Sequence, residues 1–133
     1  MTFAYLDASA IVKLVVAEAE TSALERDLAE RPGLVTSRLG AAELLRAAGR
    51  ASTRRVLQQV EEVLQSFVLL EVTPAILDRA GRLRPWTLRT LDAIHLSTAA
   101  GLDLSGLEFI TYDARLAEAA AQHGLRVRRP GRP

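Results

Sequence analysis

The chain contains no cysteine. A disulfide framework, a thiolate metal site and a cysteine nucleophile are therefore excluded. Aromatic residues make up only 5% of the sequence, with one Trp, while Leu and Ala dominate, a balance that favours helices. No apolar run approaches the about 18 residues of a membrane span. The N-terminus shows no basic segment followed by a long apolar stretch, so no signal peptide is expected and the cytoplasm is the expected compartment. Lysine is nearly absent too: Lys13 is the only one, and every other basic residue except the two His is Arg. Arg pairs bidentately with phosphate and would suit an RNA or DNA partner. Joint enrichment in Ala, Gly and Arg also fits a GC-rich genome.

What is present is a 133-residue chain, 49% apolar, long enough for one domain. A chain of this size buries about two thirds of the surface its unfolded form exposes. The net charge of +1 is unevenly spread. Residues 123–133 (HGLRVRRPGRP) hold four Arg and no acid, +4 in all, which leaves −3 on the rest. One domain is expected over 1–128, with 129–133 a short basic tail that frays.

Short apolar runs alternate with helical patterns. Strands are expected at 3–6 (FAYL), 34–36 (LVT), 67–72 (FVLLEV), 108–111 (EFIT) and 125–128 (LRVR). Helices are expected at 9–16, 20–30, 38–48 ending near Gly49, about 53–66 capped by Ser52 or Thr53, from Thr73-Pro74 onward, 88–100, and 113–122 ended by Gly124. Glu18, Glu20, Glu25, Asp27 and Glu30 read as a solvated face. Such alternation implies an α/β fold, a parallel sheet with helices on both faces. Ligands in these folds bind at the carboxyl ends of the strands, where the strand order reverses.

Within YLDASAIVKL (5–14), Asp7 stands between the end of an apolar strand and the apolar face of a helix. Burying a bare charge is costly. Asp7 can serve as a helix N-cap, although Ser9 could do the same. Asp113 in TYDARLAEAA is likewise a natural N-cap, and it follows a strand that ends at the same sheet edge. Glu43 shares a helical face with Leu39 and Ala47, and Arg46 at i+3 offers a surface ion pair. Asp92 in LRTLDAIHLSTAAG lies in the apolar stripe of Leu88 and Leu96, with His95 at i+3 as a possible partner. Carboxylates brought together raise one another's pKa. A divalent cation relieves this: Mg²⁺ takes oxygen ligands and can drive phosphodiester hydrolysis.

YLDASAIVKL, a helical Glu near 43, LRTLDAIHLSTA and FITYDARLAEAA together resemble the PIN-domain ribonucleases, nearest to the VapC toxins of bacterial and archaeal toxin–antitoxin pairs. The similarity runs from Phe3 to about Val127. It implies a PIN-like fold, with a central parallel sheet of four to five strands flanked by helices. It also implies Mg²⁺-dependent endonucleolytic cleavage of RNA, with Mn²⁺ able to substitute. The acidic pocket would be Asp7, Glu43, Asp92 and Asp113. Asp7 and Asp92 would be metal ligands, and Glu43 and Asp113 would orient water or a second ion. Ser9 and Thr111 would tune the pocket by hydrogen bonds. The resemblance further implies a small VapB-like antitoxin that occludes the pocket, a homodimer, and operator DNA bound only through the toxin–antitoxin complex.

A negative pocket needs cations nearby to attract a polyanion. Arg46, Arg89 and Arg115 flank the acidic elements and are candidates, as are Arg50, Arg82 and Arg84; surface ion pairs are the plainer reading. Trp86 either packs or stacks on a base. His95 reads as structural. A haloacid-dehalogenase phosphatase would need an acid where Ser9 stands, and a receiver domain needs paired early acids and a late Lys. A DNA-directed nuclease of related fold, or a non-catalytic interaction module, is the remaining alternative.

Overall fold

Five short strands pair in parallel in the order β3-β2-β1-β4-β5 in the computed structural model, which describes residues 1–50 and 54–133. They are β1 (Ala4–Leu6), β2 (Leu34–Ser37), β3 (Phe67–Leu70), β4 (Glu108–Ile110) and β5 (Arg126–Arg128). The helices are α1 (Ala8–Ile11), continued by a 3₁₀ turn over Val12–Leu14, then α2 (Thr21–Ala29), α3 (Arg38–Arg50), α4 (Arg54–Gln65), α5 (Pro74–Gly81), α6 (Thr90–Ala100) and α7 (Ala114–Gln122). Parallel neighbours cannot be joined by a tight hairpin, so helices cross between them and cover both faces of the sheet.

The period-two alternation of strand side chains divides the core. Ala4, Leu6 and Ile110 face α1–α4 and meet Ile11, Leu24, Leu44 and Val60. Tyr5, Val35 and Phe109 face the other way and meet Leu96 of α6 and Leu116 of α7. The rings of Tyr5 and Phe109 stack with centroids 5.4 Å apart. A further cluster joins Ala80 of α5 to Ala93 and Ile94 of α6.

Local chemistry sets the element ends. Thr73 accepts a hydrogen bond from Ile76 N at 3.2 Å, and Pro74 fills the first helical position of α5. Gly124, at φ +84°, takes the left-handed turn that closes α7. No helix among the described residues is long and apolar enough to cross a membrane.

From β1 the chain steps outward to β2 and β3, then returns to place β4 and β5 on the other side. The order therefore reverses at β1. Asp7 leaves β1 and Thr111–Asp113 leave β4 side by side, at the carboxyl edge of this switch point.

Several expected boundaries shift. The helix expected at 9–16 is α1 plus a 3₁₀ turn, α3 runs through Gly49 to Arg50, β3 stops at Leu70, and α6 starts at Thr90. The proposed caps Ser52 and Thr53 lie outside the described residues. Asp27 is buried rather than part of a solvated face. It binds Arg31 Nε at 2.6 Å and Arg128 Nη2 at 3.0 Å, while Arg31 Nη2 reaches Glu108 at 2.8 Å. The tail expected to fray is held: Tyr112 Oη donates to Pro130 O at 2.6 Å, and Arg132 Nε donates to Glu20 at 3.2 Å. The Tyr112 ring is flanked by Lys13 Nζ at 4.7 Å and the Arg132 guanidinium at 5.4 Å, cation–π contacts that fix the chain end.

Candidate active site

Asp7 is the N-cap of α1 and is 3% exposed. Its Oδ1 accepts from Ser9 Oγ at 2.7 Å and Ala10 N at 3.2 Å, and its Oδ2 accepts from Thr111 Oγ1 at 2.8 Å. Each hydroxyl has one proton, and both are committed to Asp7. Their lone pairs then accept from the backbone of the β4–α7 loop: Tyr112 N to Ser9 Oγ at 3.0 Å, and Asp113 N to Thr111 Oγ1 at 3.1 Å. The two hydroxyls thus lock the β1 and β4 exits together around one carboxylate. Burial pushes the Asp7 carboxyl pKa up; the Ser9 bond, the His95 charge, Thr111 and Ala10 N pull it back.

Glu43 reaches the site from α3. Its Oε1 lies 2.6 Å from Nε2 of the fully buried His95, whose Nδ1 lies 2.8 Å from the Tyr5 hydroxyl. A carboxylate can only accept, so Nε2 carries the proton on this side. Gly40 permits the approach. A Cβ there would stand 2.5 Å from Thr36 Oγ1 and 3.2 Å from His95 Cε1. The Arg46–Glu43 ion pair that the i,i+3 spacing allows does not form, nor does a His95–Asp92 pair; His95 goes to Glu43 instead.

Asp92 occupies the first turn of α6, half-buried, and makes no hydrogen bond or ion pair among the described residues. Burial pushes its carboxyl pKa up, the charges of Asp113 and Glu43 push it further, and those of His95 and Arg89 oppose. Asp113 caps α7 with Oδ1, which accepts from Arg115 N at 2.9 Å and Leu116 N at 3.0 Å. Its Oδ2 takes no hydrogen bond among the described residues. Asp92 thus lies within electrostatic reach of both Asp113 and Glu43, and Asp7 within reach of His95.

Arg89 precedes α6 and acts electrostatically on Asp92, Arg115 follows the Asp113 cap, and Arg46 is exposed on α3. Trp86 does not pack: it is 64% exposed. The tie from His95 to Glu43 and the strapping of Tyr112 were invisible to spacing, because both join residues from distant elements.

The donors available are carboxylate oxygens with hydroxyls beside them, a set that suits a hard divalent cation rather than a soft one. Among the described residues no three His, Asp or Glu converge into a formed metal-binding group. The mutual repulsion around Asp92 is nonetheless the feature that a cation would relieve.

The PIN-domain family matches residues 4–122. Ribonuclease VapC46 of Mycobacterium tuberculosis is 43% identical over 136 residues, covering 98% of this chain and 99% of that protein. Ribonuclease VapC47 of the same species is 34% identical, covering 96% of each chain. Among solved structures, the M. tuberculosis VapC20 toxin, described as cleaving the sarcin-ricin loop, aligns with a TM-score of 0.74 at 17% identity, over 96% of this chain and 99% of that one. VapBC2 of Rickettsia felis, solved on a DNA fragment from its promoter, aligns with a TM-score of 0.75 at 12% identity, over 98% and 99%. At those identities the structures speak for the fold alone, while the sequence relatives and the family match speak for descent. The chain belongs to the PIN-domain family, among the VapC ribonucleases.

Proposed function

We propose that the protein is a metal-dependent endoribonuclease that acts as the toxin of a toxin–antitoxin pair. The observation that carries this reading is Asp92: a half-buried carboxylate with no hydrogen bond or ion pair among the described residues, pressed by the charges of Asp113 and Glu43. Capping and ion pairing account for part of what Asp7 and Asp113 do, and for nothing that Asp92 does.

Asp7 and Asp92 would hold Mg²⁺, or Mn²⁺ in its place, with Glu43 and Asp113 completing the pocket. A divalent cation bound there lowers the pKa of a coordinated water and offsets charge on the scissile phosphate. Ser9 and Thr111 aim Asp7 and partly offset the burial that opposes its ionisation, because both donate to it. His95 holds Glu43 in place from behind. Glu43 or Asp113 takes the proton from the attacking water as its oxygen bonds to phosphorus. The bond from phosphorus to the 3′ oxygen breaks, and that oxygen leaves as a hydroxyl once protonated. The products are a 5′-phosphate and a 3′-hydroxyl. Arg46, Arg89 and Arg115 supply the positive potential that a polyanion needs.

A VapB-like antitoxin is the expected protein partner, in keeping with the toxin–antitoxin assemblies among the structural neighbours. A homodimer, operator DNA bound through the antitoxin complex, and action on cellular RNA in the cytoplasm complete the proposal.

The test is cleavage of total bacterial RNA by the wild type, Asp7→Asn and Asp92→Asn, each with Mg²⁺, Mn²⁺ or EDTA. Discrete products are expected only from the wild type with metal. Equal behaviour of wild type and folded variants in the presence of metal would overturn the reading and leave the acids as caps.

A further inference from the structure

We infer that the groove between the 85–88 segment and α7, with Trp86 between its lining residues Pro85 and Thr87, binds an unpaired nucleotide of the RNA, its base stacked on the indole. This deepens the ribonuclease reading and rests on it.

Trp86 is the most exposed of the large apolar side chains, at 64%. It does not lie on a loose loop. The Arg84 carbonyl is 2.7 Å from His123 Nε2 of the α7 end, and Leu88 N donates to Pro85 O at 3.0 Å. Leu88 itself packs against the core. The Arg84 guanidinium sits 5.0 Å from the indole centroid, a cation–π contact that fixes the ring while leaving most of its surface in solvent. A braced and solvated indole is an arrangement in which a planar base gains by stacking, whatever its identity.

The groove has a volume of about 510 Å³ and is lined by Pro85, Thr87, Leu88, Arg115, Glu118 and Gln122 among others. Thr87, Glu118 and Gln122 offer donors and acceptors to a base edge. Arg84, Arg89 and Arg115 form no ion pair among the described residues, so their charge is available to flanking phosphates. The groove runs along α7 from Gln122 at its last residue to Arg115 in its first turn, two residues past Asp113. Arg89 precedes Asp92 in the first turn of α6, and Arg115 follows Asp113 at the cap of α7. A base on Trp86 would therefore set which phosphate of the strand lies over the acidic pocket. A paired base presents no free face, so the groove selects single-stranded or looped RNA.

Trp86 is the sole Trp, so intrinsic fluorescence reads this ring alone. The wild type in EDTA, which is not expected to cleave, is titrated with a single-stranded oligoribonucleotide, a blunt duplex of the same sequence, and an abasic strand. Saturable quenching is expected with the single strand only. In cleavage assays with metal, Trp86→Ala should raise KM about tenfold while kcat stays within about twofold, and Trp86→Phe should keep most of the affinity. Quenching by duplex or abasic strand to the same extent, or an unchanged KM in Trp86→Ala, overturns the proposal. Single-strand quenching without any cleavage by the wild type would fail the nuclease reading while upholding the base site. Cleavage without quenching would do the reverse.

Discussion

His95 Nε2 and Glu43 Oε1 stand 2.6 Å apart across 52 residues of sequence, and this contact joins α6 to α3. The other face of the imidazole is held by the Tyr5 hydroxyl at 2.8 Å. His95→Ala leaves both partners unsatisfied and opens a cavity. The expected cost is about 2–4 kcal/mol in urea denaturation. His95→Gln, which can still donate to Glu43, should recover part of it. A cost below about 1 kcal/mol would show that the contact does not hold the two helices.

Asp92 is disfavoured where it stands, because burial and the charges of Asp113 and Glu43 all oppose its ionisation. Asp92→Asn should therefore raise the thermal midpoint in EDTA, through a gain in stability of less than about 1 kcal/mol since solvent screens a half-exposed carboxylate. Mg²⁺ or Mn²⁺ is expected to raise the Tm of the wild type, and the same variant should lose that rise. A midpoint in EDTA that falls would mean that Asp92 has a stabilising partner.

Glu20 ties the tail to the body through Lys13 Nζ at 2.8 Å and Arg132 Nε at 3.2 Å. Hydrogen bonds from these two cations lower its pKa from 4.5 to about 2. A lowered pKa means that its stabilisation is complete above 4.5 and is lost as the pH falls through about 2. The difference in Tm between wild type and Glu20→Gln should be present near neutral pH and vanish at the acid end of that window. A difference that is constant across it would rule out the ionic origin.

Two Tyr are present, and both are protected from ionisation. Burial, then the charges of Glu20 and Asp27, raise Tyr112 from 10.0 to about 12. A raised pKa means that the neutral phenol stabilises the fold below pH 10, and that this contribution fades as the pH rises through about 12. In Tyr5→Phe, the phenolate absorbance of folded protein should rise with a midpoint near 12 and that of unfolded protein near 10. Coincident midpoints would show that the tail does not cover Tyr112.

Arg31 has a fully buried side chain shared between Asp27 and Glu108. Arg31→Met leaves Asp27 and Glu108 with the half-exposed Arg128 as their remaining cation and should cost about 2–3 kcal/mol, because a buried pair loses its closest partner. Equilibrium unfolding measures it. A loss below about 1 kcal/mol would mean that water reaches the acids.

The α/β alternation, the strand positions and the placing of Asp7 and Asp113 at one sheet edge were all legible in the sequence. Strand and helix periods depend on local geometry, and a carboxylate following an apolar strand is a local anomaly. The resemblance of YLDASAIVKL, LRTLDAIHLSTA and FITYDARLAEAA to PIN-domain ribonucleases was legible on the same footing. Tertiary structure alone decided what each charged side chain meets. Glu43 found His95 rather than Arg46, and Asp27 found Arg31, Arg128 and the interior rather than water. The tail found Tyr112 and Glu20. An amphipathic spacing shows which face of a helix turns inward; it cannot show which distant element arrives there to pair with it. That is set by crossovers and packing, whose contacts span 100 residues or more, as between Asp27 and Arg128.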